Sequence, residues 1–133
     1  MSSAYPEVDR VLLPVAVAVI GDATSSALKA ALDGLAQRQR VTADNIANVQ
    51  TPGFLAGRVD FESTLQSEIA NGQLPVVGQS SVTRSLDPTR TDGNNVNLDT
   101  EVVMQTETGL RYQLALNALD GKYALLRSAL RTS

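Results

Sequence analysis

The sequence predicts a mainly α-helical protein: two long antiparallel terminal helices, paired as a coiled-coil-like hairpin and joined by an irregular, partly β loop region. Two long segments, residues 22–49 and 97–131, carry seam residues at alternating spacings of four and three, the pattern of a helix with one buried face. Residues 50–95 between them hold most of the glycine and proline. Aromatic residues make up only 4% of the 133 residues and tryptophan is absent. A core built from Leu, Val, Ile and Ala suits helix-on-helix packing. The length points to a single domain.

Taken in order, residues 1–21 form an atypical N-terminal extension. Its apolar run, residues 11–20, is about half the length needed to span a bilayer. Glu7 and Asp9 stand before it against only Arg10, whereas a secretory signal starts positive, so an apolar tail packing on another element is expected. Asp22 can cap the first helix, whose seam runs Leu28, Leu32, Leu35, Gln39, Thr42, Ile46, Val49. Pro52 stops it, because the residue before a proline is pushed out of the α region.

Residues 50–95 read as a loop-rich insertion, with short apolar pieces such as residues 74–77 able to form a strand or two. So long a connection inside a compact domain points to a functional segment or one ordered by a partner. Asn97 or Asp99 can cap the second helix, with Glu101 favourably placed in its first turn. Its seam runs Leu98, Val102, Gln105, Gly109, Tyr112, Leu116, Leu119, Tyr123, Leu126, Leu130, and passes through Asp120 and Gly121 in phase. One helix about 50 Å long is expected. Antiparallel packing then sets Val49 near Leu98, Ile46 on Val102, Thr42 on Gln105, Gln39 on Gly109, Leu35 on Tyr112, Leu32 on Leu116 and Leu28 on Leu119. Tyr123, Leu126 and Leu130 overhang, open to a neighbour or to the N-terminal tail.

Composition narrows the function. Cysteine and histidine are both absent, which removes thiolate nucleophiles, most zinc sites and the commonest general base near neutral pH. The net charge is −3 and the basic residues are scattered, so no stripe exists to neutralise nucleic-acid phosphates. The oxygen-rich stretch from Asp92 to Asp99 fails as a calcium loop, because Asn97 and Val103 stand where glycine and glutamate are needed. A turn leading into a capped helix explains it better. Asp60 and Glu62 flank Phe61 in a stretch that looks like a solvated loop, and Tyr112 and Tyr123 lie on the seam, where core or interface is expected rather than a cofactor. No catalytic residue, cofactor, metal or small-molecule substrate is expected.

The most informative stretch is residues 42–54. Asn45 and Asn48 are mediocre helix formers placed where their amides can bond free backbone carbonyls or a neighbouring chain. Thr51, Pro52 and Gly53 make a tight turn that delivers Phe54 as an apolar anchor. Asn45-Ile46-Ala47-Asn48 followed by Thr51-Pro52-Gly53-Phe54 resembles the N-terminal signature of the flagellar axial rod, hook and rod-cap family. Arg58-Val59-Asp60-Phe61, the Asp-Gly-Asn-Asn-Val-Asn-Leu-Asp run from Asp92 and Leu110-Arg111-Tyr112-Gln113 match the proximal rod branch in order. Asn97 replaces an aspartate of that pattern, and the first twenty residues have no counterpart in it. They are expected either to lie upstream of a start near Val17 or Val19, or to cover the far end of the second helix.

The resemblance implies a non-enzymatic subunit exported through the flagellar type III apparatus and packed by its terminal helices into the rod crossing the periplasm. Its partners would be sister rod proteins and the adapter at the membrane ring. Assembly contacts are expected at Asn45, Ile46, Asn48, Thr51, Pro52, Gly53 and Phe54, and along Tyr112, Leu116, Leu119, Tyr123, Leu126 and Leu130. Another rod subunit of the family, or a helical type III secretion chaperone, are the rival readings; the Thr-Pro-Gly signature and the long loop speak against the chaperone.

Overall fold

The computed structural model describes residues 6–132, with side chains over 21–131. Helix α1 (Pro6–Ala47), strand β1 (Gly57–Asp60), helix α2 (Glu62–Ala70), strand β2 (Ser81–Arg84) and helix α3 (Leu98–Thr132) follow in order. The two long helices pack on each other, and the β1–β2 pair and α2 sit against α1. The strands are antiparallel, with Gly57 opposite Arg84 and Asp60 opposite Ser81. Among the described residues, no helix is long and apolar enough to cross a membrane.

The first helix does not start at Asp22; it runs continuously through it from Pro6. A capping residue permits a start but does not impose one, and the four-three phase continues upstream through Ser25 and Gly21, both buried. A Cβ added at Gly21 would meet Leu126 Cδ2 at 3.8 Å, so Leu126 is covered by α1 rather than overhanging. Residues 1–5 lie outside the described residues, as do the side chains of 11–20 expected to cover this end.

The antiparallel register appears at two further levels. Gln39 Nε2 lies 3.6 Å from a Cβ placed at Gly109, and Tyr112 packs on the cluster containing Leu35. Near the loop the heptad expectation fails: Leu98 and Val102 are 46% and 50% exposed. The buried positions of α3 are Leu119, Thr108 and Glu101; Leu119 and Glu101 stand 18 residues apart, five turns at 3.6. A helix that is not underwound drifts against a seven-residue repeat. After five turns the inward position has moved from Val102 to Glu101.

The middle is more ordered than its composition suggests. Glu62–Ala70 is a helix rather than a solvated loop. Asp60 accepts hydrogen bonds from the Ser63 amide (3.1 Å) and hydroxyl (2.7 Å), which steady its first turn. It ends at Asn71 and Gly72, the latter at φ 70°. The strands fall at 57–60 and 81–84; the apolar piece at 74–77 forms none, and Leu74, Val76 and Val77 are exposed. The core is small: Leu35, Val59 and Phe61 are buried, flanked by Ala31, Val41, Tyr112 and Ala115. Phe61 lies directly on α1 at Gly34, where an added Cβ would fall 2.2 Å from the ring. Arg38 closes this core from above, 4.8 Å from the ring centroid, donating to Val59 O at 2.8 Å and pairing with Glu62 at 2.6 Å.

Candidate assembly site

The stretch 45–61 and the segment leading into α3 form one bonded unit at the loop end of the hairpin. Its centre is Asn45, wholly buried. Its carboxamide oxygen accepts from Gly57 N at 2.8 Å, and its nitrogen donates to Gly57 O and to Glu101 Oε2, both at 3.0 Å. One side chain therefore joins the end of α1, the start of β1 and the first turn of α3. Glu101, also wholly buried, accepts from Arg58 Nη1 at 2.7 Å. A buried carboxylate without such a partner would be strongly disfavoured. Gly57 has no room for a side chain, since a Cβ there would lie 2.7 Å from Val41 Cγ1.

The turn after α1 is held by three further asparagines, Asn48, Asn94 and Asn95. Asn48 donates to Asp44 O at 2.8 Å and accepts the Thr51 hydroxyl at 3.1 Å. Asn94, wholly buried, donates to Asn48 O and Thr51 O, both at 2.8 Å, adding a second bond to turn carbonyls that also accept from Thr51 N and Phe54 N. Asn95 Oδ1 accepts from Ala56 N at 2.7 Å, and its nitrogen donates to Ser85 O at 3.1 Å. Arg90 bonds Val49 O at 2.5 Å and Val96 O at 2.7 Å. Gly53 (φ 73°) donates its N–H to Asp92 O at 2.9 Å. Gly93 (φ 83°) faces it so closely that a Cβ would fall 3.3 Å from Gly53 Cα. Both turns need glycine for φ, and Gly93 also for the approach. Asn97 caps α3, accepting from Thr100 N at 3.2 Å.

The residues expected to make assembly contacts divide into two groups. Asn45 is enclosed, with both amide atoms engaged inside the chain at the centre of this bonded unit, a clamp on the loop end of the hairpin. Ile46, Asn48 and Phe54 are half-buried, Phe54 beneath the Arg84 guanidinium at 5.4 Å. Thr51, Pro52 and Gly53 are exposed at the tip. Along α3, Leu119 is buried, Tyr112, Leu116, Tyr123 and Leu126 are half-buried, and Leu130 is 76% exposed.

Sequence reasoning missed Arg58 and Glu101 as a pair, and Phe61 as the core ring. Gly34 within a helix and Gly57 beside the signature were the available signals, because each costs helix or strand stability unless another group needs the space. Among the described residues no group of three or more Asp or Glu is placed to hold a metal. Asp60 is held below its ordinary value by the Ser63 hydrogen bonds, then by nearby Arg38; it is a surface group.

Comparison with known proteins gives the same picture. The family model described as flagella basal body rod protein matches residues 23–54, a span that ends on Phe54. The flagellar basal body rod protein FlgB of Escherichia coli K12 is 32% identical over 122 residues, covering 77% of this chain and 88% of that protein. Its namesake in Yersinia ruckeri is 34% identical over 121 residues, with 76% and 88% covered, and that of Bacillus subtilis is 27% identical over 107 residues, with 70% and 81% covered. Similarity of this extent takes in both sides of the bonded unit, and the chain belongs to the flagellar basal body rod protein family.

Proposed function

We propose that the chain is a structural subunit of the proximal part of the flagellar rod. It is exported by the flagellar type III apparatus, assembles helically with sister rod proteins and the adapter at the membrane ring, and transmits torque without catalysing a reaction. The observation that carries this is the alignment of relatives named rod proteins over 88% of their own length, so that it is not a shared helix alone. The clamp fits such a role by fixing the angle at which the loop region leaves the hairpin. The exposed tip at Thr51, Pro52 and Gly53 and the outer parts of α3 are the surfaces offered to neighbours. Deleting the gene and purifying basal bodies tests the assignment. Rods should be absent, return with the wild-type gene, and contain the chain; complete rods in the deletion strain would overturn it.

A further inference from the structure

Helix α3 carries a second apolar row, distinct from the seam on α1. Val103, Leu110, Leu114 and Leu125 are 64%, 65%, 69% and 74% exposed. At 100° per residue they fall together on one side of the helix, opposite the seam residues Tyr112, Leu116 and Leu119. Four large apolar residues aligned over about 33 Å of helix mark an interaction surface rather than scattered exposure.

The spacing of this row and the charges along α3 identify what covers it. From Val103 the row steps by four, three, four, four, three and four residues to Leu125, so it reads the same in both directions about Leu114. A second α3 running antiparallel therefore meets it position for position. Leu114 meets Leu114, Leu110 meets the small Ala118, Val103 meets Leu125, and Glu107 faces Gly121. At the levels of Leu110 with Ala118 and Glu107 with Gly121 a large residue opposes a small one, which lets the backbones approach there. The charges agree: residues 98–110 expose Asp99 and Glu107, the latter paired with Arg111 of its own helix, and no basic residue, Glu101 being buried against Arg58. Residues 111–132 hold Arg111, Lys122, Arg127 and Arg131 against Asp120 alone. Antiparallel pairing sets the acidic end of each helix on the basic end of the other. Parallel pairing in register opposes like ends, and a parallel stagger of eleven residues, which also aligns the row, sets Arg111 against Lys122.

We infer that the outer row of α3 is a two-fold contact at which two copies of this chain pair antiparallel, centred on Leu114. A two-fold contact closes on itself, whereas a filament needs contacts that repeat head to tail. The pair is thus a form of the unassembled chain that shields the outer row until assembly. The pairing itself does not depend on the rod assignment; its release on assembly rests on that reading.

The absence of cysteine makes the test direct. Purified full-length Leu114→Cys should form a disulfide-linked dimer on mild oxidation. Leu110→Cys alone should not, since its two copies stand eight residues apart, about 12 Å, but an equimolar mixture with Ala118→Cys should. Leu114→Asp, at an exposed position, should sediment as monomer with unchanged helix content, and wild type as a salt-sensitive dimer. A Leu114→Cys chain that fails to link to itself but links to Leu125→Cys would establish the parallel stagger and overturn the proposal. Wild type that remains monomeric at high micromolar concentration would overturn it as well.

Discussion

The two ends of the α1–α3 hairpin are built from different materials. At the loop end, Asn45, Asn94, Glu101 and Thr108 are almost wholly buried, and the first three bond to backbone or ionic partners fixed by the fold. At the other end the helices meet through half-buried Leu28, Leu116, Tyr123 and Leu126, with Leu119 buried. Apolar burial is roughly proportional to area and indifferent to direction, so that end supplies cohesion without fixing a position. Hydrogen bonds to buried partners fail when displaced, so the loop end sets the alignment for both.

The sharpest way to break this contrast is at Glu101. Glu101→Ala removes the carboxylate acceptor from Arg58 and the Asn45 amide, leaving each with Gly57 O alone, and should lower the unfolding free energy by about 3 kcal/mol. Glu101→Gln, which keeps an oxygen for Arg58, should cost clearly less. Urea titration followed by circular dichroism reads both; equal losses would mean that the retained oxygen contributes nothing and the carboxylate charge carries the whole interaction. At the other end, Leu119→Ala should cost about 2 kcal/mol, the low side for a leucine because the site is not fully enclosed. If Leu119→Ala cost more than Glu101→Ala, the loop end would not be the stronger region.

How much of this was legible follows from the same contrast. The seam was readable because helical periodicity is a local property: the spacing of Leu35, Tyr112 and Leu119 gave both helices and their register. The clamp was only half readable. Asn45 stood out in a helix end, but its partners lie 12 and 56 residues away, and nothing in local sequence states that Arg58 and Glu101 meet. The heptad reading also placed Val102 inward where the helix, keeping its own 3.6-residue period, presents Glu101. Helix α2 was hidden by its flanks: Asp60 and Glu62 looked like solvated charges until Ser63 showed one of them to be steadying a helix start. The upstream part of α1 was hidden by Asp22, a residue equally at home as a cap and on an exposed helix face.

Smaller effects sharpen the picture between the two ends. Gly34→Ala drives a methyl into the Phe61 ring; overpacking should outweigh the better helix propensity of alanine, for a net loss of about 1 kcal/mol. Phe61→Leu in the same chain should relieve part of it, and thermal melts of the single and double variants measure the coupling. Gln39→Cys and Gly109→Cys should crosslink on oxidation within one chain, at the level where polar and apolar layers meet; failure there would show the alignment to be wrong.

The smallest effect concerns Asp60. Its carboxyl is lowered by the Ser63 hydrogen bonds, so its contribution is present above the ordinary carboxylate value and is lost as pH falls through the lower, folded value. Protection of the Ser63 and Thr64 amides, taken against the intrinsic exchange rate at each pH, should fall in that acid range, and in Asp60→Asn should not change across it. Wild-type protection flat through the same range would show that the bond does not hold the start of α2.

The bonds of Asn45 to both backbone groups of Gly57 have a mechanical meaning. Two helices joined only by an apolar seam resist separation but yield to shear, since sliding exchanges one apolar contact for another. Asn45, bonded to the amide and the carbonyl of Gly57 and also to Glu101 in the first turn of α3, acts as a dowel, because axial slip of α3 past α1 breaks its bond to Glu101. Load applied along the hairpin would therefore concentrate at a joint a few residues wide, while the greater part of the two helices followed it as rigid levers.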